Sequence, residues 1–205
     1  TEKLYYKSCN HILKTTKKFR KEFEQEADWL KIGFHAYSIG KRYQESDEEE
    51  IVRDYKHFLR KYGKIAGRKS IAHILRLEWF EGNEASLSSL RKMKREPVKA
   101  YLAADDDRKS YYLSQKMNEY LRHHRVYYDE KNDITFYRTD LRLENVEDME
   151  VKLKEFSGKL QKSLSDYLVV FSHESKMGSK NVEKLITLCR WAKENEYIFD
   201  SFERS

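Results

Sequence analysis

The chain has 205 residues, 39% hydrophobic and 37% charged, with a formal net charge of +6 and a pI near 9.0. One proline, seven glycines and fifteen tyrosines argue against a sandwich or a barrel and favour long helices with aromatic packing. No apolar run approaches the roughly 20 residues needed to span a bilayer, and two cysteines, Cys9 and Cys189, make no disulfide framework.

Tyr5, Cys9, Ile12, Thr16, Phe19, Phe23 and Leu30 recur at helical spacing and predict a long first helix over about 2–32. Cys9 falls on its apolar stripe as a small core residue. Lys14, Lys17, Lys18 and Lys21 lie on the same helix, and no acidic residue falls between Lys3 and Lys21. That run reads as a solvated face or as an anion-binding stripe. Ser46-x-x-Glu49 has the form of a capping box for a helix to about Ala66, closed by Gly67. Further helices are expected over about 69–80 and around Leu87 to Met93.

Pro97 suits a first helical turn, so Val98 to Ala104 is expected to be helical, broken by Asp105, Asp106 and Asp107. Asp107 is expected to cap a helix over about 108–123. Arg125 to Arg138 then places two runs of β-branched and aromatic residues around a polar turn, the pattern of a β-hairpin. Met149, Leu153, Phe156, Leu160, Leu164, Tyr167 and Phe171 predict a second long helix over about 144–172. A last one, about 181–196, turns Leu185, Leu188, Cys189 and Ala192 inward.

Helix, turn, helix, hairpin over Pro97 to Arg138 resembles the winged-helix architecture. The expected fold is therefore mostly α: one helical domain over 1–205, with a winged-helix-like element at about 70–138 and flanking helices at about 2–66 and 141–196. The resemblance implies a recognition helix. Its outer stripe carries Gln115, Asn118 and Arg122, side chains able to pair with base edges. Lys109, Arg125, Lys131 and Arg138 are the candidate phosphate contacts. The acidic turn at Asp105 to Asp107 opposes such docking and keeps a protein-interaction scaffold as the alternative, since tyrosine is common at interface hot spots.

Arg68-Lys-Ser-Ile-Ala-His73 has the Arg-x4-His spacing of the HEPN-type ribonucleases. That resemblance implies that Arg68 stabilises phosphate charge and His73 moves a proton. Lys69 stands where those proteins usually carry a polar orienting residue, so this reading is the minor one. The seven histidines show no metal-ligand spacing, and no phosphate loop or nucleophile elbow occurs. The expected function is non-enzymatic binding of DNA or RNA through a basic face, with no catalytic residue, metal, cofactor or membrane. Thr1 reads as the start of a chain lacking its native beginning, no secretory leader is visible, and the expected setting is intracellular.

Overall fold

The computed structural model describes residues 16–160 and 167–199. They divide into two compact units, the first running to Tyr137 and the second covering Arg138–Phe199.

The first unit opens with α1, Thr16–Gln25. The helix expected to continue to residue 32 ends there, because Ile32 joins an isolated parallel bridge with Ile71. The part of that helix before Thr16, with Lys14 and Cys9, lies outside the described residues. α2, Glu48–Ala66, is the long helix expected from the apolar spacing. It buries Ile51, Tyr55, Phe58 and Ile65 and ends at Gly67 (φ 82°, ψ 155°). Its cap is one residue later than expected. Asp47 accepts the Glu50 N–H at 2.7 Å, while Ser46 donates to the Arg42 carbonyl at 3.4 Å. α3, Glu84–Arg91, is capped by Asn83.

The mostly α-helical, winged-helix expectation is overturned here. The unit contains a mixed four-stranded sheet in the order β1-β2-β4-β3, so the fold is of the α/β kind. β1, Ile74–Leu75, lies where a helix over 69–80 was expected. Only short 3-10 turns at Arg68–Ser70 and Glu78–Phe80 flank it, and Trp79 and Phe80 have φ of 57° and 59°, values that no right-handed helix contains. β2, Ala100–Ala103, replaces the helix expected after Pro97 and pairs in parallel with β1, Ile74 opposite Ala100. As an inner strand it is buried on both faces, and a short apolar run buried on both faces carries no period that separates strand from helix.

α4 spans Gln115–His124 and begins later than residue 108. Tyr111 sits in the left-handed region (φ 54°), and the cap is Ser114, which accepts the Met117 N–H. The helix-turn-helix of the winged-helix reading is therefore absent from this segment. The hairpin lies where expected: β3, Val126–Asp129, and β4, Ile134–Arg138, pair antiparallel with Asp129 opposite Ile134. Asp129 organises the turn, accepting from the Tyr112 hydroxyl at 2.5 Å, the Asn132 amide at 2.8 Å and the Lys131 N–H at 3.2 Å. Those bonds hold its carboxyl below the ordinary range although burial alone raises it. Around the sheet, Tyr101, Tyr111 and Phe136 form a buried aromatic trio with centroids 5.3–6.0 Å apart.

In the second unit β5, Leu141–Arg142, pairs in parallel with β6, Val170–Phe171. α5 covers Met149–Leu160 and α6 Ser179–Glu194. The long helix expected over 144–172 is thus shorter at both ends, with a 3-10 turn at Leu143–Asn145 before it and a strand at Val170. Its Leu164 lies outside the described residues. Met149, Leu153 and Phe156 pack with Leu141, Leu143, Val146 and Leu188 in one core. On α6, Leu188 and Ala192 are buried as expected, Cys189 is half-buried and Leu185 is exposed.

Candidate nucleic-acid interface

Several of the residues singled out in the sequence are already engaged by other groups of the protein. Gln115 is exposed on α4, but Asn118 is committed internally: its Oδ1 accepts from the Ser110 N–H at 3.0 Å, and its Nδ2 donates to the Leu113 and Ser114 carbonyls. Arg122 pairs with Asp107 at 2.7 Å and Lys131 with Glu84 at 2.6 Å. Arg125 caps the end of α4 in the left-handed conformation. Lys109 and Lys21 are exposed. Lys17 and Lys18 lie within α1. Arg138 is half-buried at the start of the second unit, and Lys14 lies outside the described residues. Asp106 binds Arg108 through both carboxylate oxygens, so two of the three acids in the 105–107 turn are matched by neighbouring arginines.

A regular row of positive charge runs along α2. Residues 1–137 hold 29 Lys and Arg against 22 Asp and Glu, whereas 138–199 hold 11 of each. Arg53, Lys56, Arg60 and Lys64 follow one another at spacings of three and four, on the face opposite the buried Ile51, Tyr55 and Phe58. At 1.5 Å per residue this stripe covers about 16 Å. Lys56, Arg60 and Lys64 make no ion pair among the described residues. The signal was legible in the sequence as basic residues at the same spacing as the apolar ones, offset by half a turn.

Beside this stripe is a cavity of about 270 Å³. The segment 32–37 forms one wall and the Asp54 to Tyr62 side of α2 the other. Two features of the sequence hold the first wall in place. Ile32 exchanges backbone bonds with Ser70 and Ala72 at 2.7 and 2.9 Å, and the Tyr37 N–H donates to the Tyr43 hydroxyl at 3.1 Å. Tyr43 in turn donates to Asp54 at 3.1 Å. Burial, with Asp54 and Glu50 nearby, pushes the Tyr43 hydroxyl far above its ordinary value even though the Tyr37 N–H bond acts the other way. Tyr37, half exposed, stands edge-on to His57 at 5.6 Å. Phe34, Phe58 and Tyr62 continue the aromatic lining, with 5.0 Å between the Phe58 and Tyr62 centroids.

Arg68 and His73 do meet, but over a carboxylate: both contact Glu96, at 2.8 and 3.3 Å, from a 3-10 turn and the segment after it and not from one helix face. In the second unit Glu144 accepts from Ser172 at 2.9 Å and pairs with His173. The Ser172 hydroxyl therefore addresses the carboxylate and not the imidazole, unlike a nucleophile–base pair. Among the described residues no group of three or more His, Cys, Asp or Glu is placed to hold a metal ion, and no helix is long and apolar enough to cross a membrane. No family model, curated protein or solved structure matches this chain.

Proposed function

We propose that this chain is a nucleic-acid-binding protein that holds the phosphate backbone along the outer face of α2. The observation that carries this reading is the row Arg53, Lys56, Arg60 and Lys64, three of whose cations have no ion-pair partner among the described residues. Cations already neutralised by Asp or Glu release fewer counterions on meeting a phosphate, so the three unpaired cations of the row contribute more to affinity than the paired Arg122 and Lys131. The role assigned is binding in an intracellular setting, with no catalytic step. Titration of labelled duplex and single-stranded oligonucleotides across a salt series tests it. The triple variant Lys56→Glu, Arg60→Glu, Lys64→Glu is expected to reduce the slope of log affinity against log salt by about 2–3, at roughly 0.7–0.9 per phosphate contact. Absence of binding to either nucleic acid at low salt refutes the proposal.

A second reading, a protein-docking scaffold, draws on Val182, Leu185 and Ile186, which lie exposed at helical spacing on α6. A pull-down repeated with nuclease separates the two: partners that vanish with nuclease favour the first.

A further inference from the structure

The cavity beside α2 extends that reading from backbone to base. We infer that it receives one unpaired nucleobase of a single-stranded nucleic acid whose phosphates lie on α2, and that it favours bases bearing an exocyclic amine. The inference rests on the phosphate-binding role of α2.

Three properties of the cavity point to this ligand. Its volume, about 270 Å³, falls just below the roughly 300–1,000 Å³ of pockets for drug-sized molecules, which suits one flat ring system. Its accessible aromatic rings are Tyr37, half exposed at the rim, and half-buried Tyr62, backed by the buried Phe34 and Phe58. Aromatic side chains hold bases of single strands by stacking, whatever the sequence. Its polar lining includes Asp54, whose side chain is 8% exposed.

A carboxylate offers only acceptors, with about four lone-pair sites; Tyr43 occupies one on Oδ2 at 3.1 Å, and Arg53 Nε lies 3.8 Å from Oδ1. The remaining capacity matches the amine of cytosine, adenine or guanine. Thymine and uracil offer only the imide N3–H, flanked by two carbonyl oxygens whose lone pairs would face the carboxylate, so a base bearing an exocyclic amine is the better match to Asp54. His57 and Lys61 also line the cavity, four residues apart on α2. They lie on the flank of the helix that adjoins Arg60 and Lys64, so a phosphate attached to the seated base enters the cationic row.

A mononucleotide has the same base and phosphate chemistry, and the experiment separates the two sources. Affinities are measured for short oligomers of deoxycytidine and of deoxythymidine, for a duplex of equal length, and for deoxycytidine monophosphate. The unaltered chain is expected to bind the deoxycytidine oligomer about tenfold tighter than the deoxythymidine one. Tyr37→Ala is expected to weaken both single strands about tenfold and leave the duplex unchanged, with recovery in Tyr37→Trp. Asp54→Asn is expected to level the two oligomers. Equal affinity for both oligomers in the unaltered chain, or single-strand binding indifferent to Tyr37→Ala, overturns the base pocket while duplex binding preserves the role of α2. Loss of all binding at low salt in the unaltered chain overturns both. Monophosphate binding that survives Lys56→Glu, Arg60→Glu, Lys64→Glu unchanged and displaces the oligomer overturns the single-strand assignment in favour of free nucleotides.

Discussion

Arg122 on α4 reaches Asp107 across 2.7 Å, so an arginine of the expected recognition stripe is bound to the acidic turn that was expected to repel DNA. The pair lies at the surface, with the Asp107 side chain 86% exposed, and it contributes little to stability. Its consequence is electrostatic: positive charge at Arg122 and negative charge at Asp107 largely cancel at distances beyond about 10 Å in 0.1 M salt.

Neutralising an arginine on each of the two helices is therefore expected to have unequal effects. Arg60→Gln should weaken oligonucleotide binding several-fold at low salt and lower the salt slope. Arg122→Gln should change affinity less than twofold, because Asp107 already offsets the arginine. Parallel titrations of the two variants check this. A larger loss from Arg122→Gln would move the interface to α4.

The turn of the hairpin depends on Asn132 and Tyr112. Asn132 is buried and donates to Asp129 and Glu84, each at 2.8 Å. Tyr112→Phe removes one hydrogen bond to a buried carboxylate, and a cost of about 1.5–3 kcal/mol is expected in urea unfolding. Asn132→Ala removes two donors and should cost at least as much. Because both changes act on Asp129, the double variant is expected to lose less than the two single losses added together.

Gly67 ends α2 with φ 82° and ψ 155°, a region open essentially only to glycine. A Cβ there falls 2.6 Å from the Glu24 carboxylate and 2.7 Å from Glu24 Cγ. Gly67→Ala is expected to lower stability by about 1–3 kcal/mol from backbone strain. Adding Glu24→Ala opens the space but leaves the dihedral strain, so it should restore only part of the loss. Full recovery in the double variant would mean that the clash, and not φ, was the cause.

The elements legible in the sequence were those whose local signals agree with their packing. α2 combines an apolar period, acidic residues in its first turn and a terminal glycine. The hairpin has Val126, Tyr127 and Tyr128 facing Tyr137, Phe136 and Thr135 across a polar turn. The failures came where long-range pairing overrides propensity. Ala100-Tyr-Leu-Ala103 is a good helix sequence, yet two neighbouring strands take up its backbone groups. Leu75 and Leu77 alternate with half-buried Arg76, a period of two too short to outweigh the surrounding helical spacing. For the candidate site, the cationic row on α2 was readable from spacing alone. The cavity was not, since residues 32–37 are brought against α2 by long-range contacts, the Ile32 bridge to Ile71 and the packing of Phe34 and Tyr37 on Phe58 and His57, that no local spacing announces.

Four tyrosines set the alkaline limit of the fold. Burial is the leading cause that raises the hydroxyls of Tyr43, Tyr101, Tyr111 and Tyr112 above their ordinary value. Asp129 adds to the effect at Tyr112, and the Leu77 N–H opposes it at Tyr111. In the unfolded chain these groups ionise near pH 10. Their folded values are higher, so the stability they contribute is complete below about pH 10 and falls as pH rises toward those values. The loss approaches about 1.4 kcal/mol per pH unit for each group that stays protonated in the folded state. The tyrosinate absorbance of these four is therefore expected to rise together with the loss of far-UV circular dichroism, in one cooperative step. Tyr101→Phe removes one ionisable group at the cost of its hydrogen bond to the Leu87 carbonyl at 3.2 Å. It should make the alkaline decline in stability shallower while lowering neutral-pH stability by about 1 kcal/mol. Complete ionisation of all fifteen tyrosines with the helical signal intact would contradict the burial of all four.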